Sequence, residues 1–215
     1  MITIPPLSER LQLLCETEYP HFSQPEMARR RGLIEDLLRE AGCEHLISYG
    51  ANRFGSSVQW LTQWPITAEA VGVFTPGERD ALFVQYVNHA ELAGLIANEA
   101  DVAWGGPSSI ESAIEVLKKR RAQAGRLAFI GPLSIRQHAR LGEPRDLNGE
   151  YVGIRRVKSS EELDWFRIGA YFSDLGMAAL RNSIRPGVHC TRRDRKPNLL
   201  QVSDEMSSVR ATDAY

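Results

Sequence analysis

Ala70-Val71-Gly72-Val73-Phe74-Thr75-Pro76-Gly77-Glu78-Arg79-Asp80-Ala81-Leu82-Phe83-Val84-Gln85-Tyr86-Val87 is the stretch that decides the fold class. Two apolar segments, Ala70 to Phe74 and Ala81 to Val87, flank a linker from Thr75 to Asp80. Pro, Gly and Asp give that linker turn chemistry, because Pro presets φ and Gly tolerates positive φ. The stretch therefore predicts an antiparallel hairpin.

Outward from the hairpin, the pattern alternates. Upstream, His45 to Tyr49 reads as a strand ended by Gly50. The loop Ala51 to Ser57 then leads into Val58 to Pro65. A strong helix is predicted from Pro25 to Ala41, with Ser23 or Gln24 as its cap and Gly42 as its stop. Met27, Leu33, Ile34, Leu37 and Leu38 form its buried stripe, and Arg29, Arg30, Arg31, Arg39 and Glu40 are expected to face water. A shorter amphipathic helix spans Ser8 to Glu18, with Leu11, Leu13 and Leu14 on its apolar side. Downstream, Asn88 caps a helix to about Ala97, and Asp101 to Trp104 is a short strand. Ser108 starts a helix to about Gln123, buried through Ile110, Ile114 and Leu117. Leu127 to Ile130 is a buried strand, Ser134 opens a helix to Leu141, and Tyr151 to Val157 reads as extended. Strands alternating with helices of this length imply βαβ units. The predicted class is α/β: a sheet, mixed because of the hairpin, flanked by helices on both faces.

A long helix follows, from Ser159 to about Ile184. Ser159 and Glu162 have the spacing of a capping box. Leu163, Phe166, Ala170, Met177 and Leu180 make one apolar stripe, and Trp165, Ile168, Phe172 and Leu175 a second. A helix apolar on two sides is expected to lie buried between two bodies, and here its apolar stripe is expected to stay exposed unless a partner covers it.

The 215 residues suffice for one large domain with a substantial core. Lys plus Arg number 26 and Asp plus Glu 27, so no global field draws in nucleic acid or an anionic membrane. No apolar run approaches the ~20 residues of a membrane span, and the N-terminus has no signal-peptide pattern. The three cysteines, Cys15, Cys43 and Cys190, have no paired or metal-ligand spacing, which suits a reduced cytoplasmic compartment.

Searches for chemistry return structural readings. Gly105-Gly106-Pro107-Ser108 and Gly131-Pro132-Leu133-Ser134 match no phosphate-loop pattern and read as tight turns. Ser56-Ser57 lacks the G-x-S-x-G elbow. His21, His45, His89, His138 and His189 show no short ligand spacing, so no metal site is expected in this chain. The basic runs Arg29–Arg31 and Lys118–Arg121 read as solvated helix faces. Trp60, Trp64 and Phe54 cluster about one loop, read as core with a ligand- or partner-facing alternative.

One segment carries a family resemblance: Tyr151-Val152-Gly153-Ile154-Arg155-Arg156-Val157-Lys158-Ser159-Ser160-Glu161-Glu162-Leu163. It resembles the domain junction of the creatinase/prolidase-type metallopeptidases, an R-x-x-K-S-x-E-E-[LI] pattern. Gly176 to Leu180 and Ile184 to Val188 look like the helix after that junction. Trp60-Leu61-Thr62-Gln63-Trp64 is similar to the family's Y-L-T-G-F segment, with Gln63 in place of glycine. The resemblance implies a creatinase-like N-terminal domain over residues 1–157. It implies a linker and the first helix of a catalytic domain over 158–188, and an irregular, non-native tail over 189–215.

The resemblance further implies Xaa-Pro aminopeptidase, Xaa-Pro dipeptidase or creatinase ancestry. The peptidases hydrolyse the bond before proline at a dinuclear divalent metal site (Mn, Co or Zn). Its Asp, His and Glu ligands belong to the catalytic domain, so none is carried over here, and the chain is expected to be truncated and inactive alone. By the same analogy Arg53, Trp60, Trp64 and His89 are candidates for substrate-side or interface contacts. Expected partners are a second copy or a full-length homologue, with a proline-containing peptide only if a catalytic domain is supplied. A regulatory dimerisation module, an amidinohydrolase fragment and a free-standing nucleotide-binding domain remain as alternatives.

Overall fold

The computed structural model describes residues 4–16, 21–52, 54–97, 99–123 and 125–184. In chain order its elements are α1 (Glu9–Glu16), α2 (Gln24–Ala41), β1 (His45–Ala51), α3 (Ser56–Thr62), β2 (Glu69–Phe74), β3 (Asp80–Val84), α4 (Ala90–Ile96), β4 (Ala100–Trp104), α5 (Ser109–Lys119), β5 (Leu127–Ile130), α6 (Ile135–Arg140), β6 (Arg145–Asp146), α7 (Asn148–Ile154) and α8 (Ser160–Ser183). They fall into two compact units. One is Glu18–Ser159; the other joins Met1–Thr17 with Ser160–Tyr215, its described helices being α1 and α8.

Within the first unit six strands form one sheet in the order β4-β3-β2-β1-β5-β6. Pairs β1–β2 and β2–β3 are antiparallel; β3–β4, β1–β5 and β5–β6 are parallel. The class is the mixed α/β sheet expected from sequence. The hairpin closes with Ala70 facing Val84 and Val73 facing Ala81. Its turn is held by the Glu78 amide donating to the Thr75 carbonyl at 3.1 Å, with Gly77 at φ +78°.

Strands β2 and β3 are buried along nearly their whole length because helices cover both faces. On one face Leu46, Phe74 and Ile130 share a cluster with Ile34 and Leu38 of α2, Trp60 of α3 and Tyr151 of α7. Ala70, Leu82 and Val84 meet Val58, Trp64 and Ala93 in a second cluster. On the opposite face Ile47, Val73, Phe83 and Phe129 pack with Ile110, Ile114 and Leu117 of α5.

Helix α2 has the expected ends. The Ser23 side chain accepts from the Glu26 amide, Pro25 sits in the first turn, and Gly42 at φ +66° returns its amide to the Arg39 and Leu38 carbonyls. Ser134 and Gln137 form a reciprocal capping box on α6.

Several expectations are corrected. Tyr151 to Val157 is not extended: residues 148–154 form α7, which places Leu147 and Tyr151, four apart, in the core beside Trp60. The strand expected to reach Val87 stops at Val84, and Asn88 lies inside a short 3₁₀ turn, Val87–His89, instead of capping α4. Arg30 does not face water. It is 1% exposed, donating from Nε to Glu26 at 2.7 Å and from Nη1 to the Trp60 carbonyl at 2.9 Å, with Phe22 stacked on its guanidinium. The open apolar stripe expected on α8 where no partner covers it is present, with Phe166, Met177 and Leu180 60%, 64% and 50% exposed. The tail expected over 189–215 lies outside the described residues. No helix among the described residues is long and apolar enough to cross a membrane.

Candidate functional site

The carboxyl ends of parallel strands are where an open α/β sheet leaves a crevice. In this sheet β1 and β5 end side by side, and the loops after them turn back sharply. Gly55 (φ +89°) and Gly131 (φ +123°) permit this. A Cβ would lie 2.4 Å from the Tyr49 carbonyl oxygen at Gly55, and 2.0 Å from it at Gly131. Only glycine lets both loops close over the end of β1.

Above that floor lies an open groove of about 410 Å³, lined by Phe54, Ser56, Pro132, Asn148, Tyr151 and Val152 among others. A second hollow of about 390 Å³, beside Gln59, Pro65 and Thr67, shares Ser56 as its wall. Three chain segments supply the polar groups. The Asn148 Oδ1 accepts from the Gly131 amide at 2.9 Å, pinning the β5 loop to the start of α7. The Ser56 hydroxyl stands 3.5 Å from the Tyr151 hydroxyl and accepts from the Arg155 guanidinium. Arg155 also lies over the Tyr151 ring, 5.2 Å from its centroid, and its Nε is buried with no hydrogen-bond partner among the described residues. Burial pushes the Tyr151 phenol up, against the opposing pull of Ser56 and Arg155, so it stays neutral at physiological pH.

Among the described residues the rim offers hydrogen-bonding groups but pairs no nucleophile with a base. Ser56 has a guanidinium and a phenol as neighbours, and a guanidinium cannot take the serine proton. No imidazole or carboxylate reaches Ser56 among the described residues. Nor do the described residues include any group of three or more His, Cys, Asp or Glu able to hold a metal ion. They do not fit a dinuclear metal centre.

The junction after α7 is tied to the same core. Lys158 donates to the Arg155 carbonyl, and the Ser159 hydroxyl reaches the Glu26 carboxylate. Burial raises the Glu26 pKa, but Arg29, Arg30 and Ser159 outweigh it and hold the carboxyl at about 2.

The residues singled out from sequence divide. Trp60 is buried, edge-on to Tyr151 at 5.7 Å, and so forms the back wall behind the rim. Trp64 is buried and touches His89 at 5.8 Å; His89 meets the exposed Tyr86 at 5.2 Å. The structure thus brings Trp64 together with His89, and Trp60 together with Tyr151. Arg53 lies outside the described residues. Phe54, grouped with the tryptophans from sequence, is 73% exposed on the groove's lip. Sequence reasoning missed Tyr151, Asn148 and Arg155 as rim residues. The Arg-x-x-Lys-Ser junction pointed at Arg155, but nothing in the sequence joined it to Ser56, 99 positions away.

No protein-family model matches the sequence, and no curated protein does. Solved structures do match. The Xaa-Pro dipeptidase from Bacillus anthracis superposes with a TM-score of 0.58 at 17% identity, over 75% of this chain and 45% of that one. The X-Pro aminopeptidase from Thermotoga maritima MSB8 gives 0.56 at 13% identity, over 78% of this chain and 48% of that one. The chain shares its fold with Xaa-Pro peptidases. It spans just under half the length of either of those proteins. The likeness is one of Xaa-Pro peptidase fold, carried at an identity that speaks to architecture alone.

Proposed function

We propose that Glu18–Ser159 is the N-terminal, non-catalytic domain of an Xaa-Pro peptidase-like protein, and that α8 is the opening helix of a catalytic domain. In this reading the domain contributes recognition and assembly to the hydrolysis of a proline-containing peptide. Metal-dependent activation of water belongs to residues other than those described. The observation that carries the reading is the shared fold over under half of each neighbour's length, together with a polar rim that has donors but no base. A divalent metal would supply the nucleophilic water in the complete site. No step is assigned to it here, because the described residues do not hold it.

The rim would take a peptide carbonyl or carboxylate through Ser56, Tyr151 and Arg155, whose groups are chiefly donors. The expected partner is a second copy or a full-length homologue. A reduced, cytoplasmic setting is in keeping with the free thiols Cys15 and Cys43.

The reading is tested by titrating the metal-free chain with Mn, Co and Zn and following heat and stoichiometry. Weak, non-stoichiometric binding is expected. Tight binding of two ions per chain would overturn it.

A further inference from the structure

Strands β3 and β4 lie side by side and parallel, and the chain leaves their carboxyl ends in opposite directions. After β3 it runs to α4, whose Ala93 packs with Val58 and Trp64 on one face of the sheet. After β4 it runs to α5, whose Ile110 and Ile114 pack on the other. Open α/β sheets take ligands where neighbouring loops part in this way. The turn after β4 reads Gly105-Gly106-Pro107-Ser108 and opens directly into α5.

The first turn of α5 is short of acceptors. Ser108 stands at the cap position, but its side chain makes no capping bond. The amides of Gly106, Ser108, Ser109 and Ile110 donate to no group among the described residues. Ser109 and Ile110 are 1% and 3% exposed, and buried amides are nearly always paired. The Ser109 hydroxyl repeats the deficit: it is buried and has no hydrogen-bond partner among the described residues. It points back at the turn, since a Cβ on Gly105 would stand 2.3 Å from it. The Gly105 carbonyl already accepts from the Ser112 hydroxyl at 3.0 Å.

One acceptor able to take several donors at the positive end of a helix would meet this demand, and an oxyanion has that chemistry. The unpaired amides, with the hydroxyls of Ser108 and Ser109, outnumber the oxygens of a carboxylate and suit the larger set on a phosphate group. Glu111, the acidic residue of the first turn, is held by Arg140 through two bonds at 2.8 and 2.7 Å, which offsets its repulsion. We infer that the turn over residues 105–109 and the N-terminus of α5 form a binding site for a phosphate-type oxyanion, free or at the end of a phosphate ester. The site lies within the Glu18–Ser159 unit. It is independent of the peptidase-like reading, and the metal titration above does not bear on it.

Amide NMR of the full chain, titrated with inorganic phosphate at constant ionic strength, tests it; AMP serves as the ester and chloride as the control. The amides of Gly106, Ser108, Ser109 and Ile110 should shift saturably with phosphate, with AMP or with both, and the responding probe tells a free ion from an ester. Ser109→Ala removes a hydroxyl that makes no bond, so it should fold as before and bind at least ~10-fold more weakly. Ser108→Asp places a carboxylate at the cap, so it should melt higher in phosphate-free buffer and lose the phosphate response. Amides that stay still with both probes, shifts that chloride reproduces, or binding indifferent to both variants would overturn the proposal.

Discussion

Helices α5 and α8 are both rich in apolar residues, and they dispose of them in opposite ways. α5 buries Ile110, Ala113, Ile114 and Leu117 against the sheet and leaves Glu115, Lys118 and Lys119 outside. α8 buries Glu162, Asp164 and Ile168 but leaves Phe166, Met177 and Leu180 largely in water. The first pattern is finished by its own unit; the second is not. The Glu18–Ser159 unit therefore carries a core of its own, whereas α8 leaves large apolar side chains exposed.

The ionic groups repeat the contrast and give the largest expected effect. Glu26 and Arg30 lie in the core of the first unit with side chains 4% and 2% exposed, whereas the Arg10 side chain that pairs with Asp164 of α8 is 65% exposed. Breaking a buried pair strands a charge, so Arg30→Met should destabilise the fold by about 4 kcal/mol in urea titration. Arg10→Met should cost less, about 1 kcal/mol, since Arg10 is exposed and Arg167 still pairs with the buried Asp164. The pair also predicts acid behaviour. Folded Glu26 is held at about 2, below its ordinary 4.5, so the unfolded chain binds more protons between those values. Stability is present above that window and falls as pH drops through it. A much shallower fall in the Arg30→Met protein would sharpen the contrast; an unchanged one would break it.

A smaller difference is expected among apolar residues. Ile110→Ala on α5 should cost about 3 kcal/mol, and Phe166→Ala on α8 less than about 0.5 kcal/mol. Equal losses would mean that α8 buries its apolar residues after all.

How far the sequence foretold this depends on the signal each element carries. Strands β1 to β5 were legible because apolar runs bounded by Gly, Pro and Asp need no partner information. The two-residue β6 has no apolar signal; Arg145 and Asp146 are both exposed. Tyr151-Val152-Gly153-Ile154 looks extended by composition, since β-branched and aromatic residues favour strands. Packing of Leu147 and Tyr151 into one cluster overrides that preference. In sequence Arg30 reads as solvated, because a charge in an Arg-Arg-Arg run normally is. Its burial rests on Glu26 four residues back and on the Trp60 carbonyl thirty residues on. The rim is the least legible part: Ser56, Asn148, Tyr151 and Arg155 come from three separated segments, and only the folded sheet brings them together.

This chain shares its fold with Xaa-Pro peptidases, and the proposal that rests on it is that the described residues contribute recognition and not the hydrolysis itself. Incubating the purified 215-residue chain with Mn, Co or Zn and an Xaa-Pro dipeptide, and measuring released proline, tests it most directly. The account predicts release no faster than the metal-only blank; turnover rising in proportion to the chain's concentration would contradict it.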